Sequence, residues 1–250
     1  MPKDLQAIGS KTARDGFDNE KSIADKFNNW KTDREAQIWL SIMNYSLDEI
    51  EFVKAIVVSG YKADLNVQIQ VKLKEAVDIE NLQVKLVSNA KQGFNQVDKR
   101  PLINYIKKLN WEIPSDVFET LKYFVGEILP KIENPKDKRR MLMTEFSESE
   151  QQAVVKWIEE NKSLILTDVL RGRGEFAAEW YLVVKRYEES KEWVLKNINE
   201  VINHYDGEVK ITPRGSIHLG GVTIQRKGGT PDPKSLQFKI NPLSLFDKEQ

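Results

Sequence analysis

Residues 64–73 read DLNVQIQVKL, and polar and apolar side chains alternate throughout this segment. A period of two over this length is typical of a β-strand with one buried face and one polar face. A second strand is predicted at residues 79–87, where Leu82 and Val84 take the buried side and Gln83 and Lys85 take the other. Together the two segments predict a β-hairpin that carries polar groups on one face.

The remaining segments predict a mixed α+β fold. Apolar residues at helical spacing predict helices at residues 17–30, 36–43, 102–110, 115–129 and 191–205. The capping-box spacing of Ser147 and Glu150 predicts a further helix that runs to about residue 161. More strands are expected at residues 53–58, 164–170 and 177–187, and in four segments after residue 207.

Composition limits the chemistry of any site. The chain has no cysteine, which excludes disulfides, thiolate zinc sites and cysteine nucleophiles. Its two histidines, His204 and His218, are far apart in sequence, so we expect any metal to be a hard cation held by oxygen ligands. The formal net charge is zero, but residues 207–239 carry six basic and two acidic side chains, which indicates a local basic face.

The chain shows no run of 18 apolar residues, and no apolar segment follows its first residues. The sequence therefore predicts neither a membrane span nor a secretory signal.

Three polar side chains of the predicted hairpin form a candidate active site. Asp64 begins the polar face of the first strand, and Gln83 and Lys85 share that of the second. Hydrolysis of a phosphodiester is assisted by a divalent cation, and the side chains of Asp64 and Gln83 with the main-chain carbonyl of Val84 offer oxygen ligands that suit Mg²⁺. Lys85 suits the orientation of an attacking water and the stabilisation of transition-state charge. The same pattern also fits a solvated sheet face without catalytic function.

Seven segments form unusual sequence words: GSKTA (9–13), VVSGYKAD (57–64), QVKLVSN (83–89), GFNQ (93–96), DKRRM (137–141), LILTDVLRGRGEF (164–176) and VTIQRKGG (222–229). In this order, along nearly the whole chain, they resemble the HinP-type type II restriction endonucleases, which recognise GCGC and belong to the PD-(D/E)-X-K nuclease superfamily. That family carries glutamine where most of its relatives carry an acidic metal ligand, and Gln83 matches this position.

The resemblance implies a restriction-endonuclease-like core, a mixed β-sheet flanked by helices, with a β-rich C-terminal DNA-recognition part. We expect residues 1–135 to form the catalytic part and residues 136–250 the recognition part, with one shared core as the alternative. The implied activity is Mg²⁺-dependent cleavage of double-stranded DNA within GCGC, after the first G, leaving a two-base 5′ overhang. The implied enzyme works in the bacterial cytoplasm as a monomer or weak homodimer, beside a DNA methyltransferase with which it forms no stable complex.

Some details of the metal site follow from the resemblance. Nucleases of this superfamily often bring a glutamate of an N-terminal helix near the metal, so Glu20 is a candidate ligand, and an exposed helix carboxylate is the alternative. Two departures from the family pattern are present. Ala63 stands where the relative has Ser, and the loop after Lys85 carries one additional residue, Ala90 or Lys91.

Several side chains are candidates for DNA contact. The resemblance favours Phe94 as a wedge that unstacks a base step, rather than a loop side chain folded into the core. Amides such as Asn95 and Gln96 suit base edges, and arginine suits guanine in a G·C-rich site. The further candidates, for which exposed structural roles are the alternative, are Lys138, Arg139, Arg140, Arg171, Arg173, Arg214, Gln225, Arg226 and Lys227.

Two other functions fit the same residues. One is a DNA-binding protein that does not cleave, and the other is a repair-type nicking nuclease of the same superfamily. A magnesium-dependent digest with mapped ends separates all three.

Overall fold

The computed structural model describes residues 5–58, 66–73, 76–88, 94–187, 190–227 and 234–247, and at residues 5–14, 16, 66, 187, 190 and 191 it describes the backbone alone. The chain forms two compact units. The first comprises residues 1–93, 171–201 and 242–250, and the second comprises residues 94–170 and 202–241. The expected single boundary near residue 135 thus falls inside the second unit, because the strand at residues 95–101 pairs with one at residues 235–240.

The first unit holds two helices and a five-stranded sheet. The helices are α1 (Leu5–Asn28) and α2 (Arg34–Ile42), and the strands are β1 (Ile50–Val58), β2 (Asn66–Leu73), β3 (Val77–Val87), β5 (Trp180–Tyr187) and β6 (Ser190–Asn197). The sheet order is β1-β2-β3-β5-β6. All neighbours pair antiparallel except β3 and β5, which are parallel, so the sheet is mixed. A short 3-10 helix at Pro242–Phe246 contacts β3, β5 and β6.

The second unit holds a second five-stranded sheet, in the order β4-β10-β9-β8-β7. Its strands are β4 (Asn95–Pro101), β7 (Val209–Ile211), β8 (Ile217–Leu219), β9 (Val222–Arg226) and β10 (Ser235–Ile240). All of its pairings are antiparallel. Its helices are α3 (Leu102–Leu109), α4 (Ser115–Val125) and α5 (Glu148–Leu166), and α6 (Ile198–Tyr205) begins in the first unit and ends in the second.

One face of the first sheet builds the core of that unit. Val67, Ile69 and Val71 of β2 are fully buried, in the alternation expected from the sequence, and Leu82 and Val84 of β3 join them. Helices α1 and α2 cover this face through side chains such as Phe27 and Trp39, whose rings lie 5.3 Å apart. Burying a large apolar side chain stabilises the folded state by about 1.5–3 kcal/mol. A shift of one residue would turn these side chains to the other face, so their burial fixes the register of the strands. Because side chains alternate between the two faces of a strand, the polar residues of β2 and β3 then lie on the opposite face.

Two sequence predictions of secondary structure are wrong. Residues 164–170, expected as a strand, continue α5 and then form a π-helical turn at Thr167–Arg171, because the capping box at Ser147 starts a helix that nothing interrupts. Residues 191–197, expected as helix, form most of β6, which pairs along its whole length with β5. Trp193 there packs edge-on against Trp39 at 5.6 Å, so a tertiary contact overrides the helical spacing.

Among the described residues, no helix is long and apolar enough to cross a membrane.

Candidate active site and DNA interface

Gln83 and Lys85 lie side by side on the polar face of β3, as their two-residue spacing predicts. Both are buried, with 3% and 6% of their surfaces exposed. On one side β3 pairs in parallel with β5, which sets Gln83 opposite Tyr181 and Lys85 opposite Val183. On the other side Gln83 pairs with Asn66, the first residue of β2. The two polar groups therefore sit in the interior of the sheet, on the face away from the apolar core.

Asp64 lies outside the described residues, two positions before Asn66 in the sequence. Ala63 and the additional loop residue, Ala90 or Lys91, also lie outside them. Asn66, the first described residue after Asp64, pairs with Gln83. The role of Asp64 as a metal ligand stays a prediction.

Buried amide groups near these strands lack protein partners. Within the described part of the chain, Nε2 of Gln83 and both polar side-chain atoms of Asn19 are buried without a hydrogen-bond partner. A buried, unsatisfied polar atom costs about 1–3 kcal/mol, and a bound water or ion is one way to satisfy it. Because amide oxygen and nitrogen are interchangeable by rotation, Gln83 can present an oxygen at the same point. The donor set thus fits a hard cation.

Glu20 follows Asn19 on α1 and is 6% exposed, so it is not the exposed helix carboxylate of the alternative interpretation. Helix α1 contacts β1, β2 and β3. No group of three His, Cys, Asp or Glu side chains suited to a metal occurs among the described residues.

Asn81 is a site residue that the sequence analysis missed. Its side chain accepts from Nε2 of Gln68 at 3.1 Å and donates to the main-chain oxygen of Glu175 at 2.8 Å. Its own N–H donates to the carboxylate of Glu179 at 2.8 Å. These bonds fasten the segment that follows Arg171 to β3, two residues before Gln83. The signal available in the sequence was a polar residue in phase with Gln83 and Lys85.

The second sheet also has one uniformly polar face. Strand registers place the following side chains together on it: Gln96, Lys99, Lys210, His218, Thr223, Gln225, Gln237 and Lys239. Three of its glutamines form a chain of hydrogen bonds across β4, β10 and β9, which we call the amide row. Gln225 donates to Gln237 at 3.3 Å, and Gln237 donates to Gln96 at 2.6 Å.

Comparison with known proteins decides the family. The family model described as "R.HinP1I restriction endonuclease" matches residues 43–246, most of the chain. The chain belongs to this family. It is accordingly a type II, site-specific deoxyribonuclease that binds DNA.

A structural match agrees with this assignment at the level of the fold. The restriction endonuclease MspI, solved in complex with its cognate DNA, superposes with a TM-score of 0.63 at 14% sequence identity, covering 96% of this chain and 93% of that one. At this identity the likeness concerns the fold alone, including its mixed sheet. No curated protein sequence matches the chain.

Phe94 of the endonuclease is exposed over 63% of its surface and immediately precedes β4. It is therefore not folded into the core, which was the alternative interpretation of this residue. Asn95 and Gln96, the first residues of β4, are both half-buried. Gln96 enters the amide row with Gln225, which brings together two candidates that are far apart in the sequence.

Arg226 does not share that surface. Its side chain lies on the buried face of β9, with 7% of its surface exposed, and its Nε donates to the main-chain oxygen of Val125 at 3.0 Å. Its guanidinium also lies 3.8 Å from a carboxylate oxygen of Asp137. The expected DNA contact of Arg226 is thus replaced by a structural role in the second unit, because strand alternation turns it away from Gln225 and Lys227.

The basic run at residues 138–140 is organised by Asp137. Arg139 donates to this carboxylate at 2.9 Å, and Arg140 lies 3.4 Å from it. The hydrogen bond from Arg139 holds the pKa of Asp137 at about 2, whereas burial lowers the pKa of Arg140. Lys138 and Arg139 are exposed, and Arg140 is half-buried. The run therefore presents fewer free cations than its sequence suggests.

Three further arginines lie in turns, as expected. Arg171 and Arg173 are exposed on either side of Gly172, whose φ of 82° suits glycine. Arg214 is exposed before Gly215, in the turn that joins β7 and β8.

Proposed function

We propose that the endonuclease hydrolyses double-stranded DNA within GCGC, after the first G, leaving a two-base 5′ overhang, with Mg²⁺ as its metal. Family membership supports the sequence specificity. The observation that carries the catalytic assignment is the pair Gln83 and Lys85, buried next to each other on one face of β3.

The metal ligands in this proposal are the side chains of Asp64, Gln83 and Glu20 and the main-chain carbonyl of Val84. Gln83 supports it through its buried amide, whose Nε2 has no partner in the described chain. Mg²⁺ accepts a set of few protein oxygens because it retains several waters. When bound, it would polarise a phosphate oxygen and lower the pKa of a bound water.

Lys85 acts on the attacking water and on the phosphate. Its ammonium donates hydrogen bonds to the water, which orients the lone pair toward phosphorus, and it offsets the negative charge that develops in the transition state. Burial strengthens both effects, because few waters screen the charge at a side chain that is 6% exposed. Asn81 keeps the neighbouring segment of the first unit against β3 and so helps to exclude water.

DNA recognition is assigned to side chains of both units. Phe94 acts as the wedge that opens a base step, and Asn95, Gln96 and Gln225 read base edges. Arg171, Arg173 and Arg214 contact guanines or phosphates. Lys138, Arg139, Arg140 and Lys227 contact phosphates, which position the duplex without specifying sequence.

The biological setting follows from this reaction. An enzyme that cuts GCGC in a bacterial cytoplasm requires a DNA methyltransferase that protects the host sites, and we propose that the two act separately. One proposed catalytic site per chain suits a monomer or a weak homodimer that cuts one strand at a time.

The test is a digest of plasmid DNA with and without Mg²⁺, followed by sequencing of the ends. We expect Mg²⁺-dependent cuts after the first G of GCGC and at no other tetranucleotide. Specific binding to a GCGC duplex without any cleavage would overturn the catalytic assignment, and cuts at another sequence would overturn the specificity.

A further inference from the structure

Two lysine side chains meet on the polar face of the second sheet. Lys99 of β4 lies opposite Gln237 of β10. Lys227 follows β9, where its main-chain N–H donates to the oxygen of Ser235 at 2.9 Å, and alternation places its side chain on the same face as Gln225. The two ammonium groups approach each other across β10, and the neighbouring Lys99, together with partial burial, lowers the pKa of Lys227.

Four lysines of the second unit have a carboxylate within 4 Å: Lys131 with Glu150, Lys156 with Glu160, Lys162 with Asp206 and Lys210 with Glu208. Lys99 and Lys227 differ from these four. Across the described ranges, neither Lys99 nor Lys227 forms an ion pair with a carboxylate. Two like charges that share one face of a sheet on either side of β10 repel each other, so an anion between them would be bound with a gain in electrostatic energy.

The surroundings of the pair indicate which anion it takes. Gln237, opposite Lys99, is the centre of the amide row, and Gln225 lies two residues before Lys227 on the same face. A nucleic acid has base edges that form hydrogen bonds and, next to them, charged phosphodiesters. The amide row suits the base edges, and the lysine pair suits a phosphodiester.

We propose that Lys99 and Lys227 together bind a single backbone phosphate of the DNA duplex, adjacent to the amide row. This inference rests on the proposed function for its duplex substrate and adds Lys99 to the binding surface. The shared phosphate fixes the position of the duplex over Gln96 and Gln225. Inorganic phosphate has the same charge chemistry, and the experiment separates the two sources.

The experiment measures binding of a labelled GCGC duplex in Ca²⁺ over a series of salt concentrations, for the wild type, Lys99→Gln, Lys227→Gln and the double variant. Each neutralised phosphate contributes about 0.9 to the slope of log K against log salt. Because either lysine alone still reaches the shared phosphate, we expect each single variant to bind a few-fold more weakly with little change in slope. The double variant should lose about 0.9 of the slope.

The double variant should also lose more affinity than the product of the two single losses. Either lysine alone still neutralises the shared phosphate, whereas the double substitution also loses the counterion release that this neutralisation provides. The Lys99→Arg and Lys227→Arg variants should bind as the wild type does. Lys156→Gln, which removes an equal charge from an ion pair on α5, is the matched control and should leave the slope unchanged.

Two results would overturn the shared site: an unchanged slope in the double variant, or equal steps of about 0.9 for each lysine, which indicate two separate phosphates. In a third case, inorganic phosphate raises the melting temperature of the wild type and not that of the double variant, while DNA binding is the same in both. That result would assign the pair to the free anion and would also overturn the shared site. Circular dichroism checks that the variants are folded. If the wild type cuts GCGC but the salt slopes differ from those expected, only this inference is rejected. If the slopes are as expected but GCGC is not cut, only the proposed function is rejected.

Discussion

Gln237 donates its side-chain N–H to Oε1 of Gln96 at 2.6 Å, and the same side chain accepts an N–H from Gln225 at 3.3 Å. Gln237 is 6% exposed, so water competes little for these bonds. A buried amide that donates on one side and accepts on the other fixes the rotation of both neighbours. Gln237 is thus a positioning residue for two amides that we assign to base recognition.

Replacing Gln237 by glutamate tests this role. A carboxylate can accept from Gln225 but cannot donate to Gln96, so the amide of Gln96 must turn and present the opposite hydrogen-bonding pattern. A good base contact contributes about 1–3 kcal/mol of discrimination, so we expect kcat/KM on GCGC to fall roughly 10- to 100-fold. The ratio between GCGC and single-base variants of the site should fall with it.

Gln70→Glu provides the matched control, because it makes the same substitution on β2 of the first sheet, away from the amide row. Its specificity should equal that of the wild type. Unchanged discrimination by Gln237→Glu would show that the rotation of Gln96 does not matter for recognition.

Substitutions at Arg226 and at its neighbour Lys227 should have different effects, the first on stability and the second on DNA binding. Arg226→Met removes a buried charged hydrogen bond to Val125, and losing such a bond costs about 1.5–3 kcal/mol of unfolding free energy. We expect a lower urea midpoint with an unchanged affinity for the GCGC duplex. Lys227→Met should leave the midpoint near that of the wild type and weaken binding of the duplex a few-fold. The reverse pattern would mean that Arg226, and not Lys227, faces the DNA.

The local sequence pattern predicted those parts of the fold whose contacts are made with residues nearby in the sequence. The alternation at residues 64–73 and 79–87 predicted β2 and β3, and the spacing of Gln83 and Lys85 predicted that they share a face. The capping box at Ser147 and Glu150 is formed as expected, with the Ser147 N–H donating to Glu150 at 2.9 Å. In these segments the backbone geometry alone sets which side chains lie together.

Features that depend on distant partners could not be predicted. The parallel pairing of β3 with β5 joins segments about a hundred residues apart, and the segment at residues 190–197 becomes a strand only because β5 offers it an edge. The Thr167–Arg171 turn is held partly by Asp168, whose carboxylate accepts from Nε1 of Trp111 at 2.6 Å. The amide row likewise unites β4, β9 and β10, and no local spacing reveals such a contact.

Acid should weaken the second unit through two carboxylates. The pKa of Asp137 is held at about 2 by the hydrogen bond from Arg139, against 3.8 for an ordinary aspartate, and that of Glu150 at about 2 by Lys131, against 4.5 for an ordinary glutamate. Because both values are lower in the folded state, their stabilisation is complete above pH 4.5 and is lost as the pH falls toward 2. Both groups are near the surface, so each contributes roughly 0.2–1 kcal/mol.

Urea denaturation at a series of pH values between 6 and about 2.5 measures this loss. Asp137→Asn and Glu150→Gln should each lower the free energy of unfolding at pH 6. Each should also make the decrease of this free energy below pH 4.5 less steep. A fall of the same steepness in the double variant would assign the acid sensitivity to other groups.

The buried pair of β3 gives the sharpest test of the active site. Lys85→Met keeps the length of the side chain and removes its charge, and losing one such transition-state donor lowers kcat by about 10²–10³-fold. Lys85 is 6% exposed, so the melting temperature is measured to check that the variant is folded, and the GCGC duplex should still bind. Single-turnover cleavage and anisotropy measure the two quantities separately.

Gln83 offers a complementary pair of variants. Gln83→Glu supplies a carboxylate where the amide stands, so we expect cleavage to persist and half-maximal activity to require less Mg²⁺, since a charged oxygen binds the hard cation more strongly. Gln83→Leu removes the oxygen and should abolish Mg²⁺-dependent cleavage while preserving the fold. Equal Mg²⁺ requirements for the wild type and Gln83→Glu, together with full activity of Gln83→Leu, would show that the amide at this position does not hold the metal.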